Sequence, residues 1–217
     1  MANSYVKVAI LIFPGVEELD FIGFLEALAV ANREKGERYF ETQLVGTESG
    51  PITCSGGMKV MPDLSLANLG DHDLLFVPGG GASRATGVDR LMEDTALLDR
   101  LKKSYRDGKQ IWSVCTGALL LGKAGLLKGK RASTHHDYFE QIKSAGAKVT
   151  RKRIVTDGRV TTGGGISSSI DVGLALVAEE LGKKAARGVQ LRMEYPPKVR
   201  LDWSKWQGSS VSRTKLS

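Results

Sequence analysis

Three apolar runs, each cut off by proline or glycine, constrain this chain more than any other feature. Apart from Lys7, Val6–Phe13 is continuous in apolar residues and stops at Pro14-Gly15. Leu74–Val77 stops at Pro78-Gly79-Gly80-Gly81, and Ile111–Val114 runs into a tight turn at Cys115-Thr116-Gly117. Short apolar runs without polar alternation are strands buried on both faces, as in a parallel sheet. Helical patterns lie between them at Leu19–Asn32, at Leu91–Tyr105 (closed by Asp107-Gly108) and at Gly117–Ala124. Phe40–Val45 reads as a strand, and Met58–Met61, between Gly56-Gly57 and Pro62-Asp63, as part of an edge hairpin. Further on, a short strand near Arg131–Ser133 precedes a helix from about Asp137 to Ala145. Ile154–Thr156 and Val160–Thr162 flank the hairpin signal Asp157-Gly158, and helices follow at Ile170–Leu181 and Lys183–Met193. The alternation predicts an α/β fold, a mostly parallel sheet with helices on both faces.

In open parallel sheets ligands bind at the carboxyl ends of strands. Three segments fall there: Pro14–Asp20, Pro78–Gly81 and Cys115-Thr116. Cys115 occupies the top of a strand–turn–helix step, and Ser113-x-Cys115-x-Gly117 is the thiol counterpart of the G-x-S-x-G nucleophile elbow. Such a turn is expected to present the sulfur to solvent. The following helix aims its first N–H groups at the sulfur, which favours thiolate. The competing reading is a small apolar residue in the core.

A thiolate needs a proton manager and donors for developing negative charge. Gly15-Val16-Glu17-Glu18-Leu19-Asp20 offers three acids ahead of a helix, where acids also offset the helix dipole. Asp20, between Leu19 and Phe21-Ile22, is the one expected to be desolvated, with a raised pKa suited to sharing a proton with the thiol. Whether Glu17 or Glu18 shares that role stays open. Gly79, Gly80 and Gly81 allow close backbone approach, and with the Thr116 N–H they suggest an oxyanion-type hole. Gly163-Gly164-Gly165-Ile166-Ser167-Ser168-Ser169 opens a helix and suggests an anion site, although helix capping alone accounts for its serines. His135 and His136 follow a strand end and either one can face the pocket, whereas His72 is expected at the surface. Three scattered histidines and two distant cysteines, Cys54 and Cys115, match no metal-site or disulfide spacing. No metal or cofactor is expected.

The net charge of +7 is dispersed in short clusters at element ends and comes with no recognition motif, which argues against nucleic acid as a partner. No apolar run reaches the roughly 18 residues of a membrane span. The start lacks the basic region of a signal peptide, so a reducing cytoplasm is expected.

Ile12-Phe13-Pro14-Gly15-Val16-Glu17-Glu18-Leu19-Asp20, Val77-Pro78-Gly79-Gly80-Gly81, Ser113-Val114-Cys115-Thr116-Gly117-Ala118 and the stretch Ala124–His135 resemble the ThiJ/PfpI superfamily of class I glutamine amidotransferase-like folds. The resemblance runs from about residue 5 to residue 197. It implies a single flavodoxin-like three-layer sandwich over residues 1–197, usually homodimeric, with an irregular basic tail over 198–217. It also implies a cysteine at the elbow hydrogen-bonded to an acid from the first loop, Asp20 by position. Thr116 departs from the Cys-His pair of the peptidase-like branch. Asp20, Thr116 and Gln190-Leu191-Arg192-Met193-Glu194-Tyr195-Pro196-Pro197 look like the isocyanide hydratase branch, which adds water to an isocyanide to give an N-substituted formamide. The implied site is catalytic Cys115, Asp20 and Thr116, with Gly79, Gly80, Thr116 and His135 binding a small electrophilic substrate. Alternatives are a glyoxalase- or deglycase-like enzyme on small aldehydes and a redox or ligand sensor. The Cys-Thr-Gly elbow also resembles sensor domains of AraC-type regulators. Over these 217 residues no helix-turn-helix domain of that kind is expected.

Overall fold

The strand expected first is the spine of the molecule. In the computed structural model, which describes residues 5–83 and 86–195, β1 (Val6–Ile12) lies in a seven-stranded sheet and is fully buried from Val8 onward. Each such Val, Leu or Ile contributes about 1.5–3 kcal/mol through the water it leaves. In chain order there follow α1 (Glu18–Lys35), β2 (Phe40–Gly46), a small antiparallel hairpin of β3 (Ile52–Thr53) and β4 (Lys59–Val60), β5 (Leu64–Ser65) and β6 (Leu74–Val77). A second small hairpin, β7 (Ala82–Ser83) with β8 (Thr86–Gly87), leads into α2 (Val88–Leu91) and α3 (Thr95–Arg106). Then come β9 (Gln110–Ser113), α4 (Gly117–Lys123), β10 (Arg131–Ala132), α5 (Phe139–Ser144), β11 (Lys148–Val149), β12 (Ile154–Asp157), β13 (Val160–Gly163) and α6 (Ser168–Arg192).

The strand order is β12-β13-β9-β6-β1-β2-β5, parallel throughout except for the β12–β13 hairpin. The chain moves outward from β1 to β2 and β5, then returns to lay β6 on the other side of β1. That reversal places a crevice at the carboxyl ends of β1 and β6. This is the expected flavodoxin-like arrangement. α1 and α6 pack on one another, and α2, α3, α4 and α5 form a separate contacting group. Phe24 of α1 stacks on Phe76 of β6 with ring centroids 3.8 Å apart. Gly173 lets α6 press against α1, since a Cβ there would lie 2.7 Å from Cβ of Ala27.

One local expectation changes and another holds. The helix anticipated over Leu91–Tyr105 is broken, because the Asp94 side chain accepts from the Leu97 N–H at 3.0 Å and starts α3 afresh. The two helices expected after residue 170 are present as the two halves of α6, divided at Gly182, whose φ of 86° and ψ of 159° are outside the helical region. No helix among the described residues is long and apolar enough to cross a membrane. The expected tail over 198–217, with Trp203 and Trp206, lies outside the described residues, as do Pro196 and Pro197.

Candidate active site at the Cys115 elbow

Cys115 sits between β9 and α4 with φ of 54°, a left-handed conformation that L-residues adopt at a cost of about 1–2 kcal/mol. Three contacts hold it there. Its N–H donates to the Gly164 carbonyl at 2.7 Å, and its carbonyl accepts from the Thr134 hydroxyl at 2.7 Å. Gly117 completes the turn, because a Cβ there would fall 2.2 Å from the Val77 carbonyl oxygen.

Asp20 reaches the elbow from the first turn of α1 and is 0% exposed. Its Oδ2 accepts from the Gly79 N–H at 2.7 Å, while Oδ1 is buried without a hydrogen-bond partner. The carboxyl is close enough to the Cys115 thiol for each group to shift the other's titration. Burial pushes Asp20 up to about 8, with help from the Glu17 charge and against the opposing Gly79 hydrogen bond and the neighbouring Cys115 thiol. Gly79 must be glycine here, since a Cβ would lie 2.6 Å from Oγ1 of Thr116 and 2.8 Å from Oδ2 of Asp20.

The sulfur corrects the expectation of an exposed, acidic thiol. Cys115 is 6% exposed, and burial followed by the Asp20 charge pushes its thiol up to about 12. The N–H groups of Thr116 and Ile166 and the Thr116 hydroxyl act in the other direction and are outweighed. Cys115 and Asp20 therefore titrate as a coupled pair: the neutral thiol favours the Asp20 carboxylate, and that carboxylate in turn opposes ionisation of the thiol.

Above the pair lies a cavity of about 210 Å³, lined among others by Glu17, Gly80, Cys115, Thr116, His135, Tyr138 and Ile166. It is large enough for a small molecule only. The glycine amides expected to face a ligand are engaged within the fold. Gly79 N–H donates to Asp20, Gly80 N–H to Oγ1 of Thr116 at 3.0 Å, and Gly81 N–H to the Gly15 carbonyl at 2.9 Å. The Thr116 hydroxyl in turn donates to the Gly80 carbonyl at 3.1 Å. The amides that favour charge on the sulfur are those of Thr116 and Ile166, and Ile166 was not among the expected site residues. Its only trace was the Gly163–Gly165 run, read as an anion loop with capping serines. Those serines serve elsewhere: Ser167 makes no cap, and the Ser169 hydroxyl donates to the Leu19 carbonyl at 2.7 Å.

His135 lines the cavity, with its Nδ1 accepting from the Asp137 N–H at 3.4 Å, whereas His136 is exposed. His72 is not at the surface. It is buried, with Nδ1 2.9 Å from the Gly70 carbonyl and Nε2 3.0 Å from the Ser104 hydroxyl, and burial lowers its pKa. Among the described residues one group of three metal-ligating side chains, His135, His136 and Asp137, meets within 4.8 Å, with two of the three exposed.

The two glutamates share the Ser55 hydroxyl, which lies 3.0 Å from Oε2 of each, and differ in what else they meet. Glu17 lines the cavity, whereas Glu18 Oε1 accepts from the Gly56 N–H at 2.7 Å, securing the β3–β4 turn. Glu18→Gln is expected to cost about 1 kcal/mol by thermal melting and to leave the rate of Cys115 alkylation unchanged. A slower alkylation would bring Glu18 into the site.

A family model described as the DJ-1/PfpI family matches residues 6–179. The chain is 38% identical over 192 residues to the isonitrile hydratase of Pseudomonas putida, covering 88% of this chain and 79% of that one. It is 34% identical over 180 residues to an HTH-type transcriptional regulator of Pseudomonas aeruginosa; the match covers 81% of this chain and only 51% of the regulator. The crystal structure of a ThiJ/PfpI family protein from Pseudomonas syringae superposes with a TM-score of 0.79 at 28% identity, over 92% of this chain and 79% of that one.

Proposed function

The chain belongs to the DJ-1/PfpI family, and from that premise we propose that it is an isocyanide hydratase acting through Cys115 and Asp20. The observation that carries this reading is the buried, electrostatically coupled thiol–carboxyl pair beneath a small cavity, with Thr116 where an imidazole would stand. The likeness to isonitrile hydratase supports it.

The reactive form is the singly ionised pair. Cys115 sulfur bonds to the terminal isocyanide carbon while the Asp20 carboxyl gives that carbon its proton, leaving a thioimidate and a carboxylate. Water then adds to the same carbon. Asp20 takes one of its protons and passes it to nitrogen. On collapse the C–S bond breaks, the hydroxyl proton returns to Asp20, and the N-substituted formamide leaves with thiolate restored. The Thr116 and Ile166 N–H groups steady negative charge on sulfur at both ends of the cycle. A substrate without a charged group suits a cavity this small.

Incubation with an alkyl isocyanide, followed by proton NMR, should show stoichiometric formamide. A parallel arm supplies methylglyoxal and follows lactate. Lactate without formamide would move the protein to aldehyde chemistry. Neither product, combined with rapid peroxide oxidation of Cys115, would leave the sensor reading instead.

A further inference from the structure

The Gly164–Ser167 segment meets Cys115 through the Gly164 carbonyl on the cysteine N–H at 2.7 Å, and its Ile166 lines the same cavity as Cys115, with an amide that favours charge on the sulfur. Arg153, just before β12, holds this segment at both ends. Its carbonyl accepts from the Gly164 N–H at 2.9 Å, and its guanidinium donates to the Ser167 hydroxyl at 3.1 Å. The guanidinium also meets Asp171 Oδ2 at 2.6 Å and the Tyr195 hydroxyl at 3.4 Å, and that hydroxyl donates to the same Asp171 oxygen at 3.1 Å. Tyr195 is brought back by a turn in which Glu194 takes a φ of 49° and the Tyr195 N–H donates to the Gln190 carbonyl at 3.0 Å.

This gives a place to the Gln190–Tyr195 stretch, which lies far from Cys115 in sequence and lines no part of its cavity. The Arg153 side chain is 49% exposed, and an ion pair in such a setting adds little stability. The planar fork instead fixes the relative positions of three separate segments.

We propose that Arg153, Asp171 and Tyr195 form a latch that sets the Gly164–Ser167 segment against Cys115, with Arg153 as a positioning residue for the reactive thiol. The inference rests on Cys115 being the nucleophile of the proposed function and is independent of which electrophile it meets. Loosening the latch withdraws the Ile166 N–H from the sulfur. The other groups facing the thiol stay in place: Asp20 from α1, Thr116 from the elbow, and Glu17, His135 and Tyr138 from the cavity wall.

The test is iodoacetamide alkylation of the intact protein from about pH 6 to 10, read at the Cys115 peptide by mass spectrometry so that Cys54 is scored separately. This range lies below the thiol's own titration, so in Arg153→Met alkylation should be about tenfold slower throughout it, as expected for losing one hydrogen bond to a charged atom. Tyr195→Phe should move it the same way by a smaller amount, about two- to threefold in rate. Arg153→Lys should recover part of the loss, because it keeps the charge opposite Asp171 without the fork. A wild-type profile in Tyr195→Phe overturns the latch, whatever Arg153→Met does. Should Arg153→Met fail to fold by circular dichroism, Tyr195→Phe decides alone. None of these readouts uses an isocyanide, so failure of the hydratase reading would leave this result standing.

Discussion

Cys115→Ala should lower formamide release from an alkyl isocyanide by on the order of 10⁴-fold or more, the scale on which loss of a nucleophile acts when the remaining site cannot substitute for it. Two features of the elbow make the variant a clean one. The backbone at Cys115 is fixed by the Gly164 carbonyl and the Thr134 hydroxyl, neither of which contacts the sulfur, so alanine inherits the same φ of 54°. The lost atom borders an existing cavity instead of the sealed core, so the void left behind is continuous with space already there. Melting temperature is therefore expected to stay within a few degrees of wild type. Formamide release at more than about 1% of the wild-type rate would mean that another group activates water directly, and covalent capture by Cys115 would be discarded.

What the sequence made legible was whatever is carried by chain direction. Apolar runs ending in Pro14-Gly15, Pro78-Gly79 and the Cys115 turn located the strands and their carboxyl ends. A parallel sheet then brings those ends together without further information. Asp20 was legible because an acid inside an apolar helical stripe needs a reason to be there. Quantities that depend on packing were not legible. The helix after Gly117 was visible, but the depth at which the fold buries the sulfur was not. The sign of the Cys115 shift therefore came out reversed, with burial outweighing the amides that favour thiolate. His72 misled in the same way, because a polar loop in sequence gave no sign of the Ser104 hydroxyl waiting on α3. The influence of Ile166 runs through backbone N–H, which every residue but proline possesses, and so leaves no signature in residue type. Asp94 was a missed cap: a short polar break of Glu93-Asp94-Thr95 inside an apolar pattern was read through when it marked a new helix start.

Asp20→Asn should move activity and stability in opposite directions. With the folded-state value pushed up to about 8 from an ordinary 3.8, the native protein keeps a proton on Asp20 that the unfolded chain releases. The sign follows: the contribution of this group to stability is fully present below about pH 4 and is lost as pH rises to about 8. Each unit is worth about 1.4 kcal/mol at most. Because the carboxyl titrates together with Cys115 and the site can relax, a gain of about 1–3 kcal/mol is expected on replacing it with neutral asparagine at pH 8. Asparagine keeps an oxygen for the Gly79 N–H. The difference in melting temperature between variant and wild type should therefore widen between about pH 4 and pH 8. Turnover should fall by about 10²–10⁴-fold, the usual worth of a positioned general acid. The thiol itself should ionise more readily, because the neighbouring charge that raised it is gone. Iodoacetamide then separates two roles for Asp20. A variant that alkylates at Cys115 as fast as wild type or faster, yet releases almost no formamide, has lost proton delivery to the isocyanide carbon. If alkylation and turnover instead fall by the same factor, Asp20 only tunes the sulfur, and the proton must reach carbon from water or from Tyr138, the hydroxyl-bearing ring on the cavity wall.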